Sequence, residues 1–235
     1  MKRLLFYMMI GTLSVIMASC ESKPKFLTDN LVVYTKESAE EHVLYGVKEA
    51  NSNKIIVKAN RFSKITIDDN LIFATIDEPH NILLYTAQGN LLGDFEMVNH
   101  WQQNGDYYLG VKYGWSFYYF PKQQESVWTN ATVQGITAVV LQTTEGIEVR
   151  DCYGKLLFLA PLNAVIIKES PVKDNNEFFF VIKETEDYCL YNQYGIKLQA
   201  MTLEQFNKMK QSLQEKPQTQ TNELPVWVGK NIANA

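Results

Sequence analysis

Aromatic side chains are concentrated in one stretch of this sequence, and they are the residues best suited to bind another molecule. Ten of the 28 residues in 101–128 are aromatic, against 12% of the whole chain. Tyrosine and tryptophan stack an apolar face on a sugar ring or a protein surface while a polar edge forms hydrogen bonds. The predicted ligand- or partner-binding residues are Trp101, Tyr108, Trp115 and Trp128.

The same rings also fit a buried core. Alternation along a strand places Trp115, Phe117 and Tyr119 on one face. Tyr118 and Phe120 then share the other face. A strand that lies between two sheets buries both of its faces, so core packing is the competing interpretation. Exposure of the rings distinguishes a binding surface from a core.

Groups typical of catalytic or metal sites are sparse. The acidic clusters at 68–69 and 184–187 lie in turn-like sequence, where adjacent carboxylates are normally solvated and not paired for acid–base chemistry. His42, His80 and His100 occur singly, and no CxxC, HxxxH or HExxH spacing is present. No nucleophile elbow or phosphate-binding glycine loop occurs either. The sequence therefore predicts no catalytic residue, no metal site and no cofactor, and we expect a protein that is not an enzyme.

Composition and charge exclude several classes of protein. Hydrophobic residues make up 46% and charged residues 20% of 235, which is typical of a folded globular chain and excludes collagen, low-complexity disorder and a multi-span membrane protein. The net charge is −4. Because a nucleic-acid partner requires a clustered basic face, we expect none.

The N-terminus has the order of a cleaved leader. Lys2 and Arg3 precede an uncharged stretch that runs to Ser19, which is short for a transmembrane helix. The residues before Cys20, Met17-Ala18-Ser19, resemble the lipobox of bacterial lipoproteins. The resemblance implies a signal peptide over 1–19, lipidation of Cys20 and membrane anchoring in the bacterial cell envelope. Residues 20–30 then form a tether. Because cleavage removes Lys2 and Arg3, the mature chain has a net charge of −6.

Two further cysteines, Cys152 and Cys189, are expected in an oxidising compartment once the chain is exported. Cys152 lies in sequence that predicts a turn, and Cys189 lies in sequence that predicts a strand. A disulfide between them requires a strand register that the sequence does not supply, so both the bonded and the free states stay open.

An internal repeat predicts the architecture. Residues 84–92, 149–157 and 190–198 align without gaps, and each places Thr, Asp or Asn three residues before a glycine. Such side chains accept hydrogen bonds from the backbone ahead of them, and glycine accepts the positive φ of a tight hairpin. Another strand and turn precede each of these hairpins, so the unit is a three-stranded antiparallel meander.

Two weaker copies, at 31–57 and 106–128, bring the number of meanders to about five. The sequence therefore predicts an all-β domain over 31–200, with a propeller-like or open β array. The richness in aromatic residues is consistent with this fold, because broad side chains pack well on a pleated surface.

A family resemblance is found in short segments within the repeats, at 44–48, 112–115 and 146–155. They are similar to the WG-repeat proteins of bacteria, whose units run approximately as Tyr-Gly, two hydrophobic residues, Asp, two variable residues and Gly-Lys. The resemblance covers about residues 40–200. It implies a β-rich scaffold, often in envelope proteins, with no shared catalytic residues.

The chain beyond the repeats predicts a helix and a tail. Thr202 to Gln205 has the form of a capping box, and apolar residues recur at helical spacing from Leu203 to Leu213. We expect an amphipathic helix over 201–216 that covers a sheet edge or a barrel end, with partner binding as the alternative. Residues 217–235 form a polar linker and an apolar tail.

Together these features predict a lipid-anchored cell-envelope β-repeat protein that acts as a non-catalytic binding or structural module. Its expected partners are the membrane, through the lipid, and a protein or another envelope component. The alternative is an envelope protein that binds or processes glycans through the aromatic segment 101–128.

Overall fold

The computed structural model describes residues 30–40, 42–68, 71–168, 171–172 and 175–214. The predictions for the signal peptide at 1–19, for Cys20, for the tether apart from Asn30 and for the tail at 217–235 lie outside these residues.

No described helix is long and apolar enough to cross a membrane.

The described chain is mostly β, with antiparallel strands followed by one helix. The strands are β1 (Leu31–Glu37), β2 (Val43–Glu49), β3 (Ile55–Asn60), β4 (Lys64–Asp68), β5 (Leu71–Ile76), β6 (Asn81–Thr86), β7 (Leu91–Phe95), β8 (Met97–Trp101), β9 (Tyr107–Lys112), β10 (Trp115–Phe120), β11 (Glu125–Thr129), β12 (Thr132–Gln134), β13 (Ala138–Gln142), β14 (Ile147–Asp151), β15 (Leu156–Ala160), β16 (Val165–Ile167), β17 (Phe179–Glu184), β18 (Asp187–Asn192) and β19 (Lys197–Met201). The helix α1 spans Leu203–Gln214.

Five sheets follow one another along the chain, which confirms the predicted all-β fold of repeated meanders. Strands β1–β3 form the first sheet, and β4–β7, β8–β11, β12–β15 and β16–β19 form four sheets of four strands, each in chain order. The sequence predicted three strands per unit. In each four-stranded sheet the additional strand leads the meander, and in β12 and β16 it has only three residues, too few to show a periodic pattern.

The predicted turn geometry is present in all three aligned repeats. The glycine N–H donates to the carbonyl of the Thr, Asp or Asn three residues earlier, as from Gly154 to Asp151 and from Gly195 to Asn192. Asp151 Oδ1 also accepts from the N–H groups of Tyr153 and Lys155, both at 2.9 Å. The glycines have φ between 74° and 93°, which explains why glycine is required.

The aligned residues Leu84, Val149 and Leu190 are all buried at equivalent positions, as the repeat predicts.

The chain divides into two compact units, Met1–Ala74 with Tyr85–Asn90 and Thr75–Leu84 with Leu91–Ala235. Within the second unit the sheets stack face to face through buried apolar side chains. Tyr118 and Phe120 of β10 pack with Val139 and Leu141 of β13. The opposite face of the sheet β12–β15 packs against Phe180 of β17. Each of these strands therefore buries side chains on both of its faces.

Helix α1 covers the outer face of the sheet β16–β19. Phe206 packs with Phe179 and Leu190, and Met209 and Leu213 extend this contact. The helix thus lies over a sheet, as its apolar stripe predicts, although Leu203 at its start is 54% exposed.

The predicted capping box is present at the start of α1. Gln205 N–H donates to Thr202 Oγ1 at 3.3 Å, and Thr202 N–H donates to Gln205 Oε1 at 2.9 Å.

Candidate binding surface

The aromatic segment divides into buried and exposed rings. Five rings are fully buried and Tyr119 is half-buried, whereas the three tryptophans and the turn residue Tyr113 are exposed. The exposed fractions of the tryptophans are 37% for Trp101, 47% for Trp115 and 42% for Trp128. The core interpretation thus holds for most of the segment, and the tryptophans are the exception.

Strand register places the exposed tryptophans on two different faces of the sheet β8–β11. Trp128 pairs with Phe117, and Trp115 lies two residues before Phe117 on β10, so both tryptophans project from one face. Trp101 pairs with Tyr107 and projects from the other face, at the opposite edge of the sheet. The four predicted binding residues therefore do not form one surface.

Tyr108 requires a correction. It pairs with His100 and Tyr119 in the middle of the sheet and is 0% exposed, so its side chain is not accessible to a partner. The His100 ring of the neighbouring strand β8 stacks on the Tyr108 ring at 3.9 Å and helps to cover it.

Trp128 is supported from below by two phenylalanines. Its ring stacks on Phe95 at 5.5 Å and contacts Phe117 at 4.9 Å between ring centroids. Gly110 makes room for this arrangement, because a Cβ there would lie 2.6 Å from Phe95 Cδ1. A rigid support of this kind fixes the orientation of an exposed ring.

Charged groups lie beside Trp115. Lys112 pairs directly with Trp115 across β9 and β10 and forms an ion pair with Asp94 of β7. Glu96 accepts a hydrogen bond from Tyr113 N–H at 3.1 Å in the neighbouring turn. Trp115, Trp128, Lys112 and Asp94 are called the tryptophan patch below. It combines two apolar faces with hydrogen-bond donors and acceptors.

A histidine–carboxylate pair was missed from the sequence. His100 Nε2 lies 2.8 Å from Asp106 Oδ1, and the imidazole stacks on the Tyr108 ring at 3.9 Å. The two residues flank the β8–β9 hairpin. The Asn104-Gly105 pair is typical of a hairpin turn and could have predicted that His100 and Asp106 lie close together. Although His100 occurs singly in the sequence, the fold places an acidic side chain beside it.

Three side chains surround the Glu184 carboxylate at the start of the β17–β18 turn. Tyr191 O–H donates to Oε1, Lys197 Nζ donates to Oε2 at 2.9 Å, and Cys189 S–H donates to Oε2 at 3.3 Å. These hydrogen bonds, chiefly that of Tyr191, lower the pKa of Glu184 to about 2. The same contact raises the pKa of Tyr191. The cluster stabilises an ionised carboxylate and gives no sign of a proton-transferring acid.

The lowered pKa of Glu184 predicts a pH-dependent contribution to stability. It is fully present above the unfolded-state pKa, near 4.5, and is lost as the pH falls through about 2. We expect Glu184→Gln to lower the melting temperature at pH 6 and to have a diminishing effect toward pH 2. Glu186→Gln, at an exposed position in the same turn, is the matched control. A difference between Glu184→Gln and the native protein that stays constant from pH 6 to pH 2 would contradict the assignment.

The two described cysteines are free and buried, so the disulfide that the sequence left open is not formed. Burial raises the pKa of the Cys152 thiol to about 11, which makes it a poor nucleophile at neutral pH. Among the described residues, no group of His, Cys, Asp and Glu side chains is arranged to hold a metal ion.

No protein-family model matches the chain, and no curated protein sequence matches it significantly. The similarity to WG-repeat proteins and to bacterial lipoproteins therefore stays a prediction from the sequence.

Proposed function

We propose that this chain is a lipid-anchored protein of the bacterial cell envelope that acts as a non-catalytic binding module through the tryptophan patch. One observation carries the proposal: Trp115 and Trp128 are both exposed on one sheet face, two positions apart in the strand register, while Phe117 between them is buried. Exposed tryptophans on a rigid support are typical of binding surfaces, where a few aromatic residues supply most of the binding energy.

The stacked sheets support a scaffold role for the rest of the chain. The described core consists of apolar contacts between successive sheets. Such a scaffold presents a fixed surface to a partner and needs no moving part to do so.

A protein partner and a glycan partner both fit the patch. The glycan is the second candidate because the Lys112–Asp94 ion pair supplies a donor and an acceptor beside the Trp115 ring, the combination that sugar hydroxyls require. Trp128, in contrast, lies over a hydrophobic base of Phe95 and Phe117, which suits an apolar protein surface equally well.

The direct test compares the double variant Trp115→Ala/Trp128→Ala with Trp101→Ala, which alters a tryptophan on the opposite face. Each is made in a soluble chain that begins at residue 21, and the probes are isolated peptidoglycan, β-linked oligosaccharides and envelope extract. We expect the double variant to lose at least tenfold in binding and Trp101→Ala to bind as the native chain does. Loss of the Trp128 ring contacts is expected to lower the melting temperature by only a few degrees.

Equal binding by both variants would exclude the tryptophan patch as the contact surface. Binding only to sugars would select the glycan candidate, and binding only to a protein of the extract would select the protein candidate. Turnover of an oligosaccharide that depends on an acidic side chain would overturn the non-catalytic assignment.

The lipid anchor has its own test. We expect the full chain to incorporate a radiolabelled or alkyne fatty acid and to sediment with membranes when it is produced in bacteria. Cys20→Ala should abolish both fatty-acid labelling and sedimentation with membranes, because the Cys20 sulfur is the atom that carries the lipid. Cys152→Ala is the matched control, since this thiol is buried in the fold. Unchanged labelling of Cys20→Ala would exclude the lipoprotein assignment.

A further inference from the structure

The β9–β10 turn holds a tyrosine in a backbone conformation that is unusual for a bulky residue. Tyr113 and Gly114 are the two residues between the strands, and both have positive φ, 49° and 79°. A type I′ hairpin turn has this pair of conformations, which glycine, asparagine or aspartate usually supplies. Of the four described non-glycine residues with positive φ, Tyr113 alone is aromatic. The turn itself therefore does not explain the choice of tyrosine.

Packing does not explain the tyrosine either. The Tyr113 side chain is 82% exposed, the largest exposed fraction among the large hydrophobic residues of the described chain. Its backbone N–H donates to Glu96 Oε1, and Lys112 Nζ lies 5.3 Å from its ring centroid. Burial of the ring thus does not compensate for the backbone strain, and a strained residue whose side chain lies in solvent is typical of a functional site.

Tyr113 extends the tryptophan patch to the end of the hairpin. Lys112 pairs directly with Trp115, so these two side chains lie on the same face of the sheet. The Lys112 ammonium group forms an ion pair with Asp94 and also lies beside the Tyr113 ring. Trp128 lies on the same face, further from the turn. Three exposed rings therefore follow one another from the turn into the sheet.

Charged groups lie among these rings, and they distinguish a glycan from a protein partner. Lysine and acidic residues are depleted at the centre of protein–protein interfaces, because a protein partner must remove their water. Sugar hydroxyls donate to carboxylates and accept from an ammonium group, while the C–H face of a pyranose stacks on an aromatic ring. The combination of exposed rings with Lys112, Asp94 and Glu96 therefore favours a glycan.

The charge of the patch restricts the kind of glycan. Asp94 and Glu96 are acidic and Lys112 is basic, so the sum of their charges is negative. An anionic sugar chain would be repelled by this excess of negative charge.

We propose that the three exposed rings form a stacking surface for a neutral oligosaccharide of β-linked, equatorially substituted sugars. The three charged side chains beside them are its hydrogen-bonding groups. The proposal rests on the proposed function of the tryptophan patch, to which it adds Tyr113, Glu96 and the class of ligand. Because several sugars are needed to cover three rings, affinity is expected to rise with the length of the chain.

The test compares Tyr113→Asn with Tyr194→Asn in the full chain, purified in a detergent without sugar groups. Tyr194 is the matched control, because it is 52% exposed and also precedes a turn glycine of positive φ, in the sheet β16–β19. The probes are disaccharides and hexasaccharides of β-1,4-linked glucose, N-acetylglucosamine and xylose, and calorimetry measures their dissociation constants.

We expect at least one hexasaccharide to bind more tightly than its disaccharide. Tyr113→Asn should weaken this binding by about tenfold or more, whereas Tyr194→Asn should change it by less than about twofold. Asparagine adopts positive φ readily, so Tyr113→Asn should not lower the melting temperature. A binding residue is thereby separated from a structural one.

Hexasaccharide binding that Tyr113→Asn leaves unchanged would overturn the three-ring surface, as would a melting temperature several degrees below that of the native chain. Tighter binding of a hexasaccharide of β-1,4-linked glucuronic acid would overturn the neutral ligand. If no sugar binds but Trp115→Ala/Trp128→Ala loses capture of an envelope protein, the glycan assignment is wrong and the proposed binding function stands. If that double variant loses neither kind of binding, the proposed function itself is wrong.

Discussion

Replacing Gly154 by alanine is expected to destabilise the fold by about 3 kcal/mol or more. Gly154 has φ 93°, a conformation that costs an L-residue energy even where space is available. Space is not available here, because an added Cβ would collide with Cβ and the ring of Phe120 in the preceding sheet. Backbone and packing penalties therefore act together. Urea unfolding followed by circular dichroism measures the loss.

Gly114→Ala is the matched control for this prediction. Gly114 also has a positive φ, 79°, but an added Cβ would meet nothing within 4 Å. We therefore expect Gly114→Ala to lower the free energy of unfolding only by the conformational penalty, about 1–2 kcal/mol. Equal losses for the two variants would show that the contact between the Gly154 turn and Phe120 contributes nothing to stability.

Replacing Phe120 by alanine is the second change with a large expected effect. It should lower the free energy of unfolding by about 3–5 kcal/mol. The Phe120 ring is 0% exposed and packs with Tyr107 and Tyr118 between two sheets. The guanidinium of Arg150 lies 5.7 Å from its centroid and forms ion pairs with Glu125 and Glu148. Truncation leaves a cavity and removes the apolar surface against which that charged group lies.

Trp115→Ala, on the same strand β10, is the control for side-chain size. Because Trp115 is 47% exposed, we expect Trp115→Ala to lower the free energy of unfolding by about 1 kcal/mol or less. Thermal unfolding of the two variants separates a core ring from a surface ring. If both changes destabilise the protein by several kcal/mol, Trp115 belongs to the core and the proposed binding surface loses its basis.

The hairpin at 149–157 shows what kind of structure can be read from one sequence. Asp151 and Gly154 form their turn through hydrogen bonds and a φ preference that act within four residues, so their types and spacing suffice to predict it. The capping box at Thr202 and Gln205 is predictable for the same reason. The additional strands β12 and β16 were not, because three residues carry no period and pair only when a neighbouring strand supplies the ladder.

The candidate site was less predictable than the fold. The sequence located the aromatic segment, but it grouped Tyr108 with Trp101, Trp115 and Trp128. Tyr108 is buried under other side chains, among them the stacked His100 ring, and Trp101 projects from the face opposite to Trp115 and Trp128. Both outcomes depend on strand order and register, which bring together residues that are distant along the chain. The pairing of His100 with Asp106 depends likewise on closure of the β8–β9 hairpin.

The sequence by itself determined the β-rich class, the repeated turns and the capped helix, because each follows from interactions between residues a few positions apart. Only the tertiary structure decided which rings form the core, which tryptophans share a face and that Cys152 and Cys189 remain unbonded. The physical reason is that burial is set by what packs against a strand from outside. In this protein, that surface belongs to the next sheet or to the helix that covers the last one.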